Sequence, residues 1–121
     1  MPIYGSLPSG GGGTGVPATE LNAGDQIALF NAETPAALQA SIAIAVQLGA
    51  GQPRGVVFTV QAPGSTIAIQ GSNQDVASEY QTLHTTTSLG NDFYSDLGGF
   101  CYYRALCTAF TSGVVSVIAQ R

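Results

Sequence analysis

The chain has 121 residues, 45% of them hydrophobic, which suits one compact domain. Only 8% of its residues are charged, against about 25% in an average soluble protein, and the net charge is −4 with no lysine. Phosphate backbones are bound by clustered cations, and no apolar run approaches the ~20 residues of a membrane-spanning helix. Nucleic acids and membranes are therefore not expected as partners.

The scarcity of charge predicts that the protein associates with itself or with a larger assembly. A surface built from Ser, Thr, Gln and Asn gives little electrostatic protection against contact between copies. We therefore expect a homo-oligomer, or a subunit of a larger protein structure.

Residues 1–24 are predicted to form an extended, flexible arm. Proline and glycine dominate this segment, so it cannot bury enough side chain to offset the entropy of ordering. Its apolar residues Ile3, Tyr4 and Leu7 are predicted to contact a partner. The first ten residues lack the basic region and apolar core of a secretory signal, which predicts synthesis in a cytoplasm.

The glycine run in the arm matches G-x-G-x-x-G at Gly10, Gly12 and Gly15. A dinucleotide site needs a strand before these glycines and a helix N-terminus after them, and neither is predicted here. A phosphate-binding P-loop also needs a lysine, which the chain lacks. The run is interpreted as a tether, and no cofactor is expected.

From residue 25 to residue 121 the dominant hydrophobic period is two, which predicts an antiparallel β-sandwich or jelly roll. The turn residues Pro63 and Gly64 predict a hairpin between two of its strands. In the first strand, Ile27 and Leu29 are expected on one face and Phe30 on the other. The other alternating apolar positions are Ile42, Ile44, Val46 and Leu48; Val56, Phe58 and Val60; and Ile67 and Ile69.

Residues 34–48 have two possible structures. Thr34 and Pro35 resemble a helix start, Leu38, Ile42 and Val46 recur at helical spacing, and Gly49 resembles a helix end. Alternation over eight residues rich in isoleucine and valine favours a strand from about Ser41 instead.

The last part of the chain is predicted to form two strands joined by a Thr-Ser-Gly turn. Arg104 lies in the first of them among aromatic residues, and is expected to pair with a carboxylate or stack on a ring, and to contact a partner subunit. Residues 71–98 are predicted to form long surface connections, from which Tyr80 and Leu83 reach the core.

No catalytic or metal-binding constellation is predicted, and the protein is not expected to be an enzyme. His84 is the only histidine and is interpreted as a solvated or capped loop residue. Cys101 and Cys107 are predicted to be buried apolar residues that lie too far apart along one strand to bridge. The seven acidic residues are expected mostly in solvated turns and loops: Glu20, Asp25, Glu33, Asp75, Glu79, Asp92 and Asp96.

Two stretches resemble a known family. "TIAIQGSNQDVASEYQTL", from Thr66 to Leu83, and "CYYRALCTAFTSGVVSVIAQR", from Cys101 to Arg121, are similar to the small β-sandwich head decoration, or cement, proteins of tailed bacteriophages. Tyr80 stands where that family often has a tryptophan. The strand framework that the resemblance carries over consists of Ile67, Ile69, Tyr103, Arg104, Val115 and Val117.

The resemblance implies a structural protein of the virion without catalytic residues. Such a protein would bind the major capsid protein on the outside of the phage head as a homotrimer, or alternatively a dimer, and stabilise the shell. The alternative function is a carbohydrate- or receptor-binding β-sandwich module of a phage tail or fibre, for which the aromatic side chains would supply the contact surface.

Overall fold

The computed structural model describes residues 18–46, 55–86, 90–97 and 99–121. These residues fold as a single small domain that is nearly all β, with two sheets packed on each other, so the predicted β-sandwich is confirmed. The strands in chain order are β1 Thr19–Glu20, β2 Gln26–Glu33, β3 Gln39–Ala40, β4 Ile44–Ala45, β5 Val56–Ala62, β6 Gly64–Ser72, β7 Gln81–Thr85, β8 Gly90–Asp96, β9 Tyr102–Ser112 and β10 Val115–Gln120. A 3-10 turn, Ala77–Glu79, lies between β6 and β7.

The large sheet has six strands in the order β1-β4-β9-β6-β7, with β3 also paired to β9. The small sheet has four strands in the order β2-β10-β5-β8. The pair β1–β4 is parallel, and every other described pair is antiparallel. The last strands named in the two orders, β7 and β8, are each an edge strand.

The core lies between the sheets and is built by strict alternation in the central strands. In β5 the buried and less buried positions alternate along the whole strand, as the sequence predicted. The strand framework proposed from the sequence also lies in strands β6, β9 and β10, and all its apolar members are buried. Fully buried core side chains include Ile44, Val56, Phe58, Val60, Ile67, Ile69, Tyr103, Val115 and Val117.

The predicted hairpin at Pro63–Gly64 is wrong. Strand β5 belongs to the small sheet and β6 to the large one, so the chain crosses from one sheet to the other at Pro63. Each strand has one apolar face, and the two faces meet across the core rather than side by side in one sheet. A turn of this composition joins strands in either arrangement, and burial of both faces selects the crossover.

Residues 34–46 contain no helix, so the helical alternative is wrong for that part of the segment. Of the strand expected from about Ser41, only Ile44–Ala45 forms within the described residues, and Leu48 and Gly49 lie outside them. The strand is interrupted: β3 and β4 both pair with β9, but three residues lie between Ala40 and Ile44 where two lie between their partners Leu106 and Tyr103. The extra residue turns Ile42 outward, where 45% of its surface is exposed. It was predicted to share the face of Ile44.

Strand β2 also departs from simple alternation because it contains extra residues relative to its partner strand. Its register with β10 shifts twice, and both Leu29 and Phe30 are buried although the sequence placed them on opposite faces. Ala32 has a φ of 52°, and its N–H donates to Ser116 Oγ at 3.0 Å. These bulges fold both apolar side chains into the core.

The folded region begins earlier than the predicted boundary at residue 25. Strand β1 pairs with β4, and the side chain of Leu21 is completely buried. Residues 18–24 therefore belong to the sandwich, because Leu21 supplies apolar surface that the arm was assumed to lack. Residues 1–17 lie outside the described residues, and with them Ile3, Tyr4, Leu7 and the glycine run.

Residues 71–98 were wrongly predicted to be surface connections. They contain strands β7 and β8, and Leu83 packs against the core as expected. In the part of the chain that the structure describes, no helix is long and apolar enough to span a membrane.

Candidate functional site

Strand β8 has the opposite alternation from its neighbour β5. Its residues Asp92, Tyr94 and Asp96 pair in register with Val60, Phe58 and Val56, which all face the core. Paired residues in a sheet share a face, so the two carboxylates and the phenol point into the space between the sheets. The inner side of this edge strand is therefore polar.

The inward side chains form a cluster that we call the latch: His84, Asp92, Tyr94, Asp96 and Tyr103. His84 lies in β7 of the large sheet, and its Nε2 is 2.8 Å from Asp92 Oδ2 in β8 of the small sheet. The imidazole ring also stacks on Tyr94, with centroids 4.9 Å apart and planes 8° apart. The latch thus joins the edges of the two sheets on one side of the sandwich.

Asp92 has a second role in the latch. Its Oδ1 accepts a hydrogen bond from the backbone N–H of Phe93 at 2.9 Å. The carboxylate therefore also satisfies one backbone donor of the edge strand β8. The hydrogen bond from His84 lowers the pKa of Asp92 below its ordinary value. The carboxylate is therefore held in its charged form.

Asp96 anchors the other end of the latch. It accepts hydrogen bonds from the hydroxyls of Tyr94, at 2.9 Å, and Tyr103. Burial, with a contribution from the Asp96 carboxylate, raises the pKa of Tyr94 to about 12 and also raises the pKa of Tyr103. Both rings pack on Phe58, with centroid distances of 6.2 Å for Tyr94 and 5.6 Å for Tyr103. The two tyrosine rings are thus part of the aromatic core around Phe58, and their hydroxyl groups bind Asp96 at its border.

A His–Asp pair is also part of the catalytic site of serine hydrolases. Here the pair connects strand β7 of the large sheet to strand β8 of the small sheet. In serine hydrolases the imidazole bonds a carboxylate with one nitrogen and a hydroxyl with the other. Within the described residues His84 has no hydrogen-bonded Ser, Thr or Cys, and Tyr94 covers a face of its ring. His84 is a strand residue paired with an acid, which corrects its interpretation as a loop histidine.

The latch decides what strand β8 presents to the outside. Because Asp92, Tyr94 and Asp96 face inward, Phe93 and Ser95 must face outward, and 70% of the Phe93 surface is exposed. Phe93 lies in register with Thr59, Thr59 with Ile118, and Ile118 with Ala28. These four residues form one row across all four strands of the small sheet.

The outer side of the small sheet, which we call the small-sheet face, carries no charged residue among the described positions of its strands. The row centred on Thr59 and Ile118 is flanked on each side by polar uncharged residues, with Val57 as an additional apolar position. The acidic side chains of β8, Asp92 and Asp96, point inward to the latch and are therefore absent from this face. The face consists of Gln26, Ala28, Val57, Thr59, Gln61, Phe93, Ser95, Ser116, Ile118 and Gln120.

The outer side of the large sheet is different in character. The Arg104 guanidinium carbon lies 4.2 Å from the centroid of the Tyr80 ring, and Arg104 Nε donates to Gln70 Oε1 at 2.8 Å. The Tyr80 hydroxyl donates to Asp75 Oδ1 at 2.9 Å, and burial together with this bond raises its pKa. Stacking of Arg104 on an aromatic ring is confirmed, whereas Tyr80 packs on this outer side and not in the core.

The remaining predicted positions carry little chemistry. Cys101 and Cys107 are free thiols, and burial raises the pKa of Cys107. Among the described residues, no group of three or more His, Cys, Asp or Glu side chains could hold a metal ion. Comparisons with protein-family models, curated proteins and solved structures gave no match.

Proposed function

We propose that this protein is a structural subunit of a larger assembly: a decoration protein that binds the outside of a tailed-phage head and stabilises the shell. The observation that carries the proposal is the small-sheet face, an uncharged sheet surface with a largely exposed phenylalanine. The proposal also rests on the resemblance of residues 66–83 and 101–121 to head decoration proteins.

The composition of this face suits association with protein. The centres of protein interfaces are depleted in charged residues and enriched in aromatic ones. Burying amides and hydroxyls that find new hydrogen bonds is far less costly than burying carboxylates. A surface bearing Phe93, Val57 and Ile118 among glutamines and serines meets both conditions.

The proposed partner is the major capsid protein, and the proposed location is the capsid surface of the virion. Residues 1–17 would add contacts through Ile3, Tyr4 and Leu7, joined to the sandwich by the glycine run. Modest contacts become strong when several copies bind one shell, because linked binding events raise the effective concentration. A partner contact of Arg104 stays part of this proposal.

Cosedimentation with phage capsids that lack the protein tests the proposal. We expect the full chain to pellet with the shells, and a variant without residues 1–17 to stay folded but to attach less. The deletion ends at residue 17 because Leu21 belongs to the core. Failure of the full chain to pellet at saturating concentration would contradict the proposed function.

A second candidate function, glycan or receptor binding, is favoured by the outer side of the large sheet. There the Arg104 guanidinium is stacked on the Tyr80 ring, and guanidinium and aromatic groups bind sugar hydroxyls and ring faces. Saturable glycan binding that is lost in Tyr80→Ala but kept in Phe93→Ala would support this function over the first.

A further inference from the structure

We infer that the small-sheet face is the contact between two copies of this chain, which pack with their small sheets face to face about a two-fold axis parallel to the strands. The inference rests on the proposed structural function and assigns the small-sheet face to a second copy of the chain, so that residues 1–17 and the rest of the surface remain for contact with the shell. Four observations support it.

The first observation is the distribution of charge. The chain carries seven acidic residues and a net charge of −4, so two copies repel each other wherever their acidic surfaces meet. The described strand positions of the small-sheet face include no acid and no base. Two copies can therefore approach through this face without opposing like charges.

The second observation is that both edges of the small sheet are unsuited to adding a strand. Strand β8 turns Asp92 and Asp96 inward, and Asp92 accepts the N–H of Phe93. At the opposite edge, β2 is bulged at two places. Inward charges and bulges are the devices that prevent edge-to-edge pairing, so contact through the face is favoured over extension of the sheet.

The third observation is the shape of the central row. It runs from Phe93 at one edge through Thr59 and Ile118 to Ala28 at the other edge, from the largest side chain to the smallest. A two-fold axis parallel to the strands and between the two faces places β8 of one copy over β2 of the other. Phe93 then lies over the partner's Ala28 end of the row, and the same contact occurs twice, as an isologous interface requires.

The fourth observation concerns depth. Adjacent strands lie about 4.8 Å apart, so the row is about 14 Å wide, and packed sheets stand about 10 Å apart. A phenyl ring standing on one sheet spans much of this gap and needs a small residue opposite. Ala28 provides it, and the exposed Val57 gives further apolar contact beside the row.

The contact gives a dimer, whereas the resemblance to decoration proteins implies trimers first. A two-fold interface closes on itself after two copies. Contacts of residues 1–17 with a shell would be additional to it.

Sedimentation equilibrium of the full chain over a hundredfold concentration range tests the inference. We expect a mass that rises to twice the 12.3 kDa of the single chain. Phe93→Ala should weaken the dimer at least tenfold. Leu38→Ala, the matched control, removes a 74% exposed apolar side chain near the large sheet and should leave the dimer unchanged.

A size-exchange variant tests the geometry itself. Ala28→Phe alone should also weaken the dimer at least tenfold, because two phenyl rings would then oppose each other. The double variant Phe93→Ala with Ala28→Phe restores one large and one small residue at each contact, and should recover most of the wild-type affinity. Circular dichroism of each variant checks that the fold is kept.

Three results would overturn the inference: a monomer at all concentrations, a dimer indifferent to Phe93→Ala, or a double variant no better than the worse single one. A monomer in which residues 1–17 of the same chain cover the face is included in the first result. The capsid assay is independent. A dimer that ignores capsids contradicts the proposed function alone, and a monomer that binds them contradicts the inference alone.

Discussion

Strands β5 and β8 are neighbours in the same sheet and face the same interior, yet they fill it with different chemistry. The inner side of β5 consists of Val56, Phe58, Val60 and Ala62, all buried. The inner side of β8 offers carboxylates and a phenol to the latch. The central strand is held by burial of apolar surface, and the edge strand by hydrogen bonds to the other sheet.

The difference shows how an edge strand can come to expose an apolar side chain. Asp92, Tyr94 and Asp96 face inward because they are hydrogen-bonded in the latch. Phe93, which lies between two of them, must then face outward. The exposure of Phe93 is therefore a consequence of the bonds made by Asp92 and Asp96 on either side of it. The following predictions test this contrast, beginning with the largest effect.

Phe58→Ala should lower the free energy of unfolding by about 3–5 kcal/mol, because it removes a completely buried ring that contacts both latch tyrosines. Urea denaturation measures the change. Val57→Ala, at the adjacent outward and 39% exposed position, is the control and should cost less than about 1 kcal/mol. Equal losses in the two variants would contradict the assigned faces of β5.

Asp96→Asn should cost about 1.5–3 kcal/mol, because the carboxylate accepts hydrogen bonds from two tyrosine hydroxyls and an amide cannot replace it for both. Ser95→Ala, on the outward side of the same strand, should be nearly neutral. If Asp96→Asn were also neutral in the same denaturation experiment, the polar interior of β8 would not stabilise the fold.

Alkaline pH should destabilise the protein through the latch. The pKa of Tyr94 is raised to about 12 in the folded state, from about 10 in an unfolded chain. A group with a raised pKa contributes stability that is complete below pH 10 and is lost as the pH rises towards 12. Denaturation between pH 9 and pH 12 should show this loss, with a smaller slope in Tyr94→Phe. An identical slope in that variant would contradict the role of the phenol.

Acid pH should also destabilise the protein, by a smaller amount. The pKa of Asp92 is lowered by its bond to His84, so its contribution to stability is present above the unfolded value of about 3.9. This contribution is lost as the pH falls through the folded pKa. His84→Ala should flatten the dependence of stability on pH below about 4, as measured by thermal unfolding. A steeper acid dependence in His84→Ala would contradict the pairing.

The sequence predicted the sandwich and most of its central strands because their apolar residues alternate against a single core. The alternation of Phe58 and Val60, and of Ile67 and Ile69, identifies inward faces directly. It could not tell whether the strands on either side of Pro63 pair in one sheet or cross between two, because both arrangements bury the same residues.

Strand β8 and the small-sheet face were missed for a physical reason. In "GNDFYSD" the apolar Phe93 lies between polar neighbours that face the core, so a rule that places apolar residues inward assigns the wrong face or no strand at all. The partner of Asp92 is His84, whose proximity depends on the packing of one sheet on the other. The available signal was the two-residue spacing of Asp92, Tyr94 and Asp96.

The most direct test of the central claim places a fluorescent reporter at Phe93. The chain contains no tryptophan, so Phe93→Trp introduces a single indole. At low concentration the account predicts emission typical of indole in water and ready quenching by acrylamide. As the concentration rises and the two faces meet, the emission should shift to the blue and the quenching should fall. Blue-shifted, unquenched emission from a monomer would mean that the ring is buried within its own chain, and would contradict the account.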